Sequence, residues 1–290
     1  MIKSTIGITI LNYNDYSRTI KLAKKVASFQ KIDEVVIVDN YSNEKNKQEL
    51  MALHYPKIDV IFSNKNNGFA AGNNVGLRQL VSDGCKYVFA INSDVIAEEN
   101  VFNECIKTMQ NHSDIAVLSP LMRDYKTKKI DYRVAWNYPS YHQALQYCFW
   151  IGRRFNYNNY VINKQSINQS LIYSDCVRGS FQCFRSDILK KANFYDEGTF
   201  LYNEENILSK RIHKVSPTSK EAIITTIYYQ HNQADNTKIN TNRFKWSLNS
   251  QHYYFKKYCT LTKGKSLLLK ICENLGILEH YLIDLVINIK

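Results

Sequence analysis

Tyr87-Val88-Phe89-Ala90-Ile91-Asn92-Ser93-Asp94 is the stretch whose reading decides the fold. Five apolar residues in a row suit a strand buried on both faces, and a polar triplet stops it. Similar units lie on either side. Ile6–Leu11 is β-branched, Glu34–Val38 is a continuous apolar run, and Ile58–Phe62 and Ile115–Leu118 are strand-like. Between them Tyr16–Phe29, Glu44–His54, Ala70–Leu80 and Glu98–Met109 carry helical spacing. Strand-helix alternation with buried strands predicts an α/β domain with a doubly wound, mostly parallel, Rossmann-like sheet.

Ligands on such sheets bind beyond the carboxyl ends of the strands. Those ends read Asn12-Tyr13-Asn14-Asp15, Asp39-Asn40-Tyr41-Ser42-Asn43, Asn64-Lys65-Asn66-Asn67-Gly68 and Asn92-Ser93-Asp94. Asn and Ser also end strands for turn reasons alone, but four polar ends in succession point to a polar ligand.

The bulk numbers bound the rest. A chain of 290 residues, 44% hydrophobic and 22% charged, suits one large α/β domain with an appendage. Its net charge is +12, and residues 236–290 hold nine Lys/Arg against three Asp/Glu. Such an excess attracts polyanions: nucleic acid, an anionic membrane face or phosphorylated substrates. Seven cysteines form no C-x-x-C pair and no metal-finger spacing, so buried free thiols in a reducing compartment are expected. Met1-Ile2-Lys3-Ser4 enters a strand pattern directly, and no run of about 18 apolar residues appears. The expectation is a cytoplasmic chain, peripheral on the inner face of the membrane if bound there.

Residues 120–172 lose the strand-helix rhythm and read as an irregular, substrate-facing insert. A strand over Ser174–Phe184, a short helix over Asp187–Ala192, an acidic helix start at Glu204-Glu205 and a strand over Ile223–Tyr229 follow. These divide the chain into a domain over 1–235, in two halves (1–119 and 120–235), and a basic helical C-terminal extension over 236–290. In that extension Leu268, Ile271, Leu275, Leu278, Leu282, Leu285 and Ile289 recur with 3-4 spacing, an amphipathic seam. Packing on the body is the first expectation; a homodimer or an anionic membrane surface are the others.

Some residues carry chemistry. Asp94, just past a strand, suits a hard divalent cation that leaves positions for phosphate oxygens, or it caps the next helix. Asp39 can accept bonds from a ribose hydroxyl or a base N–H. Asn67-Gly68-Phe69-Ala70-Ala71-Gly72-Asn73 is small-residue-rich and opens a helix, which suits close approach of a ligand or close helix packing. Glu204 and Glu205 suit general-base work on a hydroxyl, or are ordinary helix-start charges. His231 is a third metal ligand, a phosphate contact or a surface residue. No G-x-G-x-x-G follows the first strand, and no P-loop or G-x-S-x-G elbow appears. No nucleic-acid recognition module is legible either.

Together these residues resemble the inverting nucleotide-sugar glycosyltransferases of family 2, with the GT-A fold, and in particular their bacterial rhamnosyltransferase-like branch. The segments that carry the resemblance are Ile8–Asn14, Val35–Asn40, Asn66–Gly76, Ala90–Val95, Arg178-Gly179-Ser180, Phe194–Glu197 and Phe200–Glu205, in the family's order. The resemblance implies that the first half (1–119) binds a nucleotide and the second (120–235) an acceptor, and that Asn12, Asn14, Asp39, Asn67, Gly68, Asn73, Asn92, Ser93 and Asp94 line the nucleotide-sugar site. It implies Mg²⁺ or Mn²⁺ on Asp94, with His231 as a late metal ligand, Glu205 as base and Glu204 orienting the acceptor. The donor would be a UDP- or dTDP-sugar and the acceptor a saccharide or lipid-linked saccharide of a capsule or cell-wall polysaccharide. Three departures stand out. The metal triplet begins with Asn92, the usual Glu-Asp is Glu-Glu, and Ile207 stands where relatives often carry an Asp. They leave a non-catalytic GT-A-like subunit, binding a partner enzyme or polymer, as the alternative. A sugar-phosphate nucleotidyltransferase would need a Gly-rich basic loop after the first strand, which is missing.

Overall fold

A computed structural model describes residues 5–155, 160–232 and 240–288. Met1–Ser4, the expected domain boundary at 235/236 and Ile289 lie outside the described residues. The first half runs β1 (Ile6–Asn12), α1 (Tyr16–Ala27), β2 (Glu34–Asp39), α2 (Glu44–Met51), β3 (Ile58–Phe62), α3 (Phe69–Ser82), β4 (Tyr87–Asn92), β5 (Val95–Ile96) and α4 (Glu99–Asn111). The second runs β6 (Ile115–Asp124), β7 (Ala135–Trp136), α5 (Tyr141–Tyr147), α6 (Trp150–Phe155), β8 (Leu171–Ser174), β9 (Cys176–Val177), β10 (Phe181–Arg185), α7 (Ser186–Lys191), α8 (Glu204–Val215) and β11 (Lys220–His231). Helices α9 (Thr241–Tyr258) and α10 (Lys263–Asn288) close it.

The main sheet has nine strands in the order β3-β2-β1-β4-β10-β6-β11-β5, with β8 also on β11. Strands β3, β2, β1, β4, β6 and β11 run one way; β10, β5 and β8 run the other. Val35–Val38 and Val88–Phe89 are fully buried, which explains their unbroken apolar runs. Helix α1 turns Leu22, Ala23 and Val26 inward and ends on Lys24 and Lys25, where the helix dipole favours cations. Asn43 caps α2 by accepting from the Asn46 N–H. The chain steps outward from β1 to β2 and β3, then returns to β4 on the other side of β1. That reversal opens a crevice at the carboxyl ends of β1 and β4, where Asn12–Asn14 and Asn92–Asp94 stand.

Three expectations need correction. Residues 120–172 are not wholly irregular: β6 continues to Asp124 because β11 pairs with it along its length, and α5 and α6 follow. The strand over Ser174–Phe184 is three short strands, broken at Asp175 and again at Arg178-Gly179-Ser180. At the second break the backbone passes close to the acidic pair: a Cβ at Gly179 would lie 2.9 Å from Glu205 Oε1. The seam on α10 does not pack on the body. Leu269, Glu273 and Gly276 do so instead, and the seam residues Leu268–Leu285 face outward. Gly276 sets that orientation, since a Cβ there would lie 2.0 Å from the Cys148 carbonyl oxygen.

Candidate active site

Two depressions meet at the end of β4. The larger, about 590 Å³, is lined by Asn92, Asp94, His231, Glu204 and Glu205 among others. The smaller, about 340 Å³, is lined by Tyr13, Asn14, Ser93 and again by Asn92 and Asp94. Arg18, Phe69, Asn92 and Asp94 are common to both, so Asp94 stands where one opens into the other.

Pairing of β5 with the end of β11 sets the Asp94 corner, with Val95 opposite His231. His231 Nε2 lies 3.0 Å from Asp94 Oδ1, and the Asn232 N–H donates to the Asp94 carbonyl at 2.9 Å. Arg18 holds the same corner through Asp15 (2.8 Å) and the Asn232 carbonyl (3.1 Å). Ser93 donates to Asp15 at 3.0 Å. Burial raises the Asp94 carboxyl, but its hydrogen bond with His231 and the His231 and Arg18 charges outweigh that and hold it below the usual range. His231 is buried, not a surface residue.

The acidic pair opens α8 after two residues, Tyr202 and Asn203, in the left-handed region at φ 77° and 65°. That conformation is unfavourable for non-glycine residues and persists where surrounding contacts enforce it. Here Asn203 Oδ1 accepts from Asn206, whose own Oδ1 accepts from Trp136 Nε1 at 2.9 Å. Glu205 Oε1 accepts from the Gly179 N–H at 2.9 Å. Glu204 is 3% exposed, and its Oε1 has no hydrogen-bond partner. Burial, then the Glu205 charge, pushes the Glu204 carboxyl up to about 8. Burial also raises Glu205, against the pull of the Gly179 N–H and the Arg178 charge. The geometry distinguishes the two: Glu205 keeps the Gly179 N–H as a donor, whereas Glu204 Oε1 has no partner, and burial disfavours its charged form the more for that.

The other expected residues divide into three groups. Asn14 and Ser93 line the smaller cleft. Asn12, Asp39, Gly68 and Asn73 are buried beneath it. Asn12 Nδ2 donates to Asp39 (2.7 Å) and Ser42 (3.1 Å), while its Oδ1 accepts from Thr19. Asp39 also accepts from the Ser42 N–H, and Asn14 is stitched to Ser42 and Asn43. Asn73 bonds the Phe69 carbonyl within its own helix. Gly68, at φ +91°, abuts the Phe200 backbone, where a Cβ would lie 2.1 Å from its carbonyl oxygen. Its small size serves that contact. Asn67 is exposed and lines neither depression.

Sequence reasoning missed several residues. Arg133, Arg178 and Arg243 join Arg18 around the larger cavity. Arg178 lies in a quoted motif but drew no role; it is 3.6 Å from Asp131, which also pairs with Arg133 at 2.7 Å. Glu221 is fully buried and accepts from the Val177 N–H at 2.9 Å, bracing the strand before Arg178. In the sequence the signal was an Arg beside a glycine, Arg178-Gly179, inside an expected strand.

The sheet order, with its crevice at the carboxyl ends of β1 and β4, is that of a GT-A glycosyltransferase fold. A family model described as "Glycosyl transferase family 2" matches residues 7–172, more than half of the chain, and the chain belongs to that family. A rhamnosyltransferase, WbbL of Escherichia coli (strain K12), is 25% identical over 260 residues, spanning 84% of this chain and 89% of its own. Solved structures share the fold. GalNAc-T7, crystallised with UDP, GalNAc and Mn²⁺, superposes with a TM-score of 0.64 at 12% identity, covering 89% of this chain. The match spans about half of GalNAc-T7, 49% of its chain. A mannosyltransferase of Pyrobaculum calidifontis, in complex with GDP-Man and Mn²⁺, gives 0.58 at 11% identity over 95% of this chain and 72% of its own. TarS 1-349 of S. aureus with UDP gives 0.55 at 13% over 91% and 69%.

Proposed function

We propose that the chain transfers a sugar from a UDP- or dTDP-sugar to a saccharide or lipid-linked saccharide of a bacterial surface polysaccharide, inverting the anomeric centre. The observation that carries this reading is that Asp94, His231 and the Glu204-Glu205 pair line one cavity. Similarity to chains crystallised with UDP, UDP-GlcNAc and GDP-Man supports a nucleotide-sugar donor.

The smaller cleft would take the nucleotide and the larger cavity the sugar and acceptor. The buried Asn12–Asp39–Ser42 network holds the cleft wall in shape and fixes where Asn14 stands. Glu205, aimed by the Gly179 N–H, takes the proton from an acceptor hydroxyl. The freed oxygen attacks the anomeric carbon from the face opposite the diphosphate. The bond to phosphate breaks, and the electron pair leaves with the nucleoside diphosphate. Glu204, protonated near neutrality, offers an O–H to the acceptor and adds no second negative charge beside the base. Arg18 and Arg178 place positive charge along the diphosphate path.

Asp94 and His231 fit a divalent ion. An ionised carboxylate and an imidazole nitrogen meet at the cavity wall. Among the described residues no group of three or more His, Cys, Asp or Glu could hold a metal, so phosphate oxygens and water would complete the shell. Mg²⁺ or Mn²⁺ there would neutralise the departing diphosphate. Among the described residues no helix is long and apolar enough to cross a membrane. The chain would meet a lipid-linked acceptor from the cytoplasmic face.

Glu205→Gln tests the reading. Donor binding by calorimetry, with Mn²⁺ and then with EDTA, should be unchanged, while turnover falls about 10²–10⁴-fold. Turnover retained by Glu205→Gln would remove the base from this position. Failure of every nucleotide diphosphate to bind the folded wild type would remove the transferase reading.

A further inference from the structure

The outward seam of α10 has no counterpart in the catalytic reading. Leu268, Ile271, Leu275, Leu278, Leu282 and Leu285 stand on one face, and Leu267 and Tyr281 border it. Their exposure runs from 43% at Tyr281 to 63% at Leu267. The opposite face holds the helix to the body. Leu269 and Gly276 are buried, His280 stacks on Phe244 at 4.6 Å, and at the edge between the two faces Glu279 accepts from the Trp150 N–H at 2.7 Å. The seam is thus presented by a helix anchored along its length, so the exposure does not come from a loose end.

Eight half-exposed side chains of this size make one contiguous apolar strip, on the order of the largest patch a monomer exposes. Monomers seldom expose a contiguous apolar patch above roughly 600 Å², and a standard interface buries about 800 Å² per partner. The spacing is strictly 3-4, so two such helices can interdigitate as a left-handed coiled coil.

We infer that this face binds a second copy of the chain, with two α10 helices packed about a two-fold axis. Charge decides between this occupant and an anionic membrane. A membrane-surface helix flanks its apolar face with Lys and Arg. Here the flanking positions hold Leu267, Asn274 and Tyr281 on one side and Cys272 and Glu279 on the other. The one ionisable group among them apart from weakly acidic Cys and Tyr is acidic, and it already caps α6. Lys263 and Lys265 precede the seam, half-exposed Lys270 pairs with buried Glu273 at 3.4 Å, and Lys245 of α9 donates to the Tyr281 hydroxyl at the seam's border at 2.6 Å. The seam is therefore self-complementary and nearly uncharged, as an isologous contact requires.

Sedimentation velocity on the full chain at tens of micromolar tests this, with Leu275→Glu/Leu282→Glu as the variant. Both positions are more than half exposed in the single chain, so its fold should survive, as far-UV circular dichroism would report. The wild type should sediment at twice 33.9 kDa and the variant at half that mass, with equal affinity for nucleoside diphosphate. A wild type at single-chain mass would overturn the inference. So would a variant that stays double, or a single-chain wild type that pellets with phosphatidylglycerol vesicles while the variant does not.

Discussion

Glu204→Gln should stabilise this protein, and by an amount that grows with pH. Glu204 is 3% exposed with an unpartnered oxygen, and burial beside Glu205 pushes its carboxyl from 4.5 up to about 8. Below about pH 4.5 the carboxyl is protonated in both the folded and unfolded chain, and it adds no pH dependence. Between 4.5 and 8 the unfolded chain releases the proton and the folded chain keeps it, so stability falls as pH rises. Above 8 both are ionised and the loss is complete. At pH 7 the interval above 4.5 corresponds to roughly 3 kcal/mol, at about 1.36 kcal/mol per pH unit. Glutamine has nearly the same shape and cannot ionise, so the variant escapes this penalty. Part of the gain is offset because a buried amide also wants partners, leaving about 1–3 kcal/mol at pH 7. Urea unfolding of both proteins at pH 5, 7 and 8.5 measures it. The gain should be under about 1 kcal/mol at pH 5 and largest at pH 8.5. A difference that is constant across the three pH values would show that Glu204 does not hold its proton in the folded chain.

Gly68→Ala should lower stability by about 2 kcal/mol or more, since it adds a Cβ at φ +91° against the Phe200 carbonyl; an unchanged urea midpoint would refute that contact. Gly179→Ala should lower turnover with little change in donor affinity, because the new methyl meets Glu205 Oε1 at 2.9 Å. Equal loss of donor binding would place the damage elsewhere. Asp196 anchors α9: burial raises its carboxyl, but Lys257, Tyr258, Tyr253 and the Gly198 N–H hold it down to about 2. Its contribution, roughly 2 kcal/mol, is present above pH 3.8 and lost as pH falls through 2. Asp196→Asn should therefore cost about that much at pH 7 and flatten the acid limb; an unaltered acid limb would refute the assignment.

The parallel half of the sheet was readable because β1, β2 and β4 are buried on both faces and helices such as α1 and α4 between strands bury one face. Ile58–Phe62 matches β3 residue for residue, and β1, β2 and β4 differ by one residue at their ends. The second half was harder for a physical reason. Beside the long β6 and β11, the strands β8, β9 and β10 are short, broken at Asp175 and again at the cavity-lining Arg178-Gly179-Ser180, so none of these runs is long enough to show a period. The seam on α10 misled for the opposite reason. Its spacing was correct, but spacing reveals that a helix has an apolar face and not what covers it. Gly276 and Glu273 carried the answer, and neither belongs to an apolar pattern.

Candidate site residues followed the same division. Polar strand ends were legible as a group, but their individual duties were not. Asn12 and Asp39 satisfy one another beneath the cleft, while Asn14 and Asp94 reach its surface. Gly68 illustrates the consequence. Loop 66–69 borders the smaller cleft through Phe69, and the Phe69 N–H donates to the Phe200 carbonyl at 2.9 Å, four residues before Glu204. Phe200 in turn leads through the two left-handed residues into the acidic pair. The wall of one depression and the start of α8 are thus a single packed unit, with Gly68 as the joint. The catalytic carboxylates proposed here are positioned from both halves of the chain: by Gly179 and Asn206 in the second half, and by Gly68 and Phe69 in the first. A substitution at that joint should therefore disturb both depressions together, which no alteration confined to Glu205 would do, since Glu205 lines only the larger one.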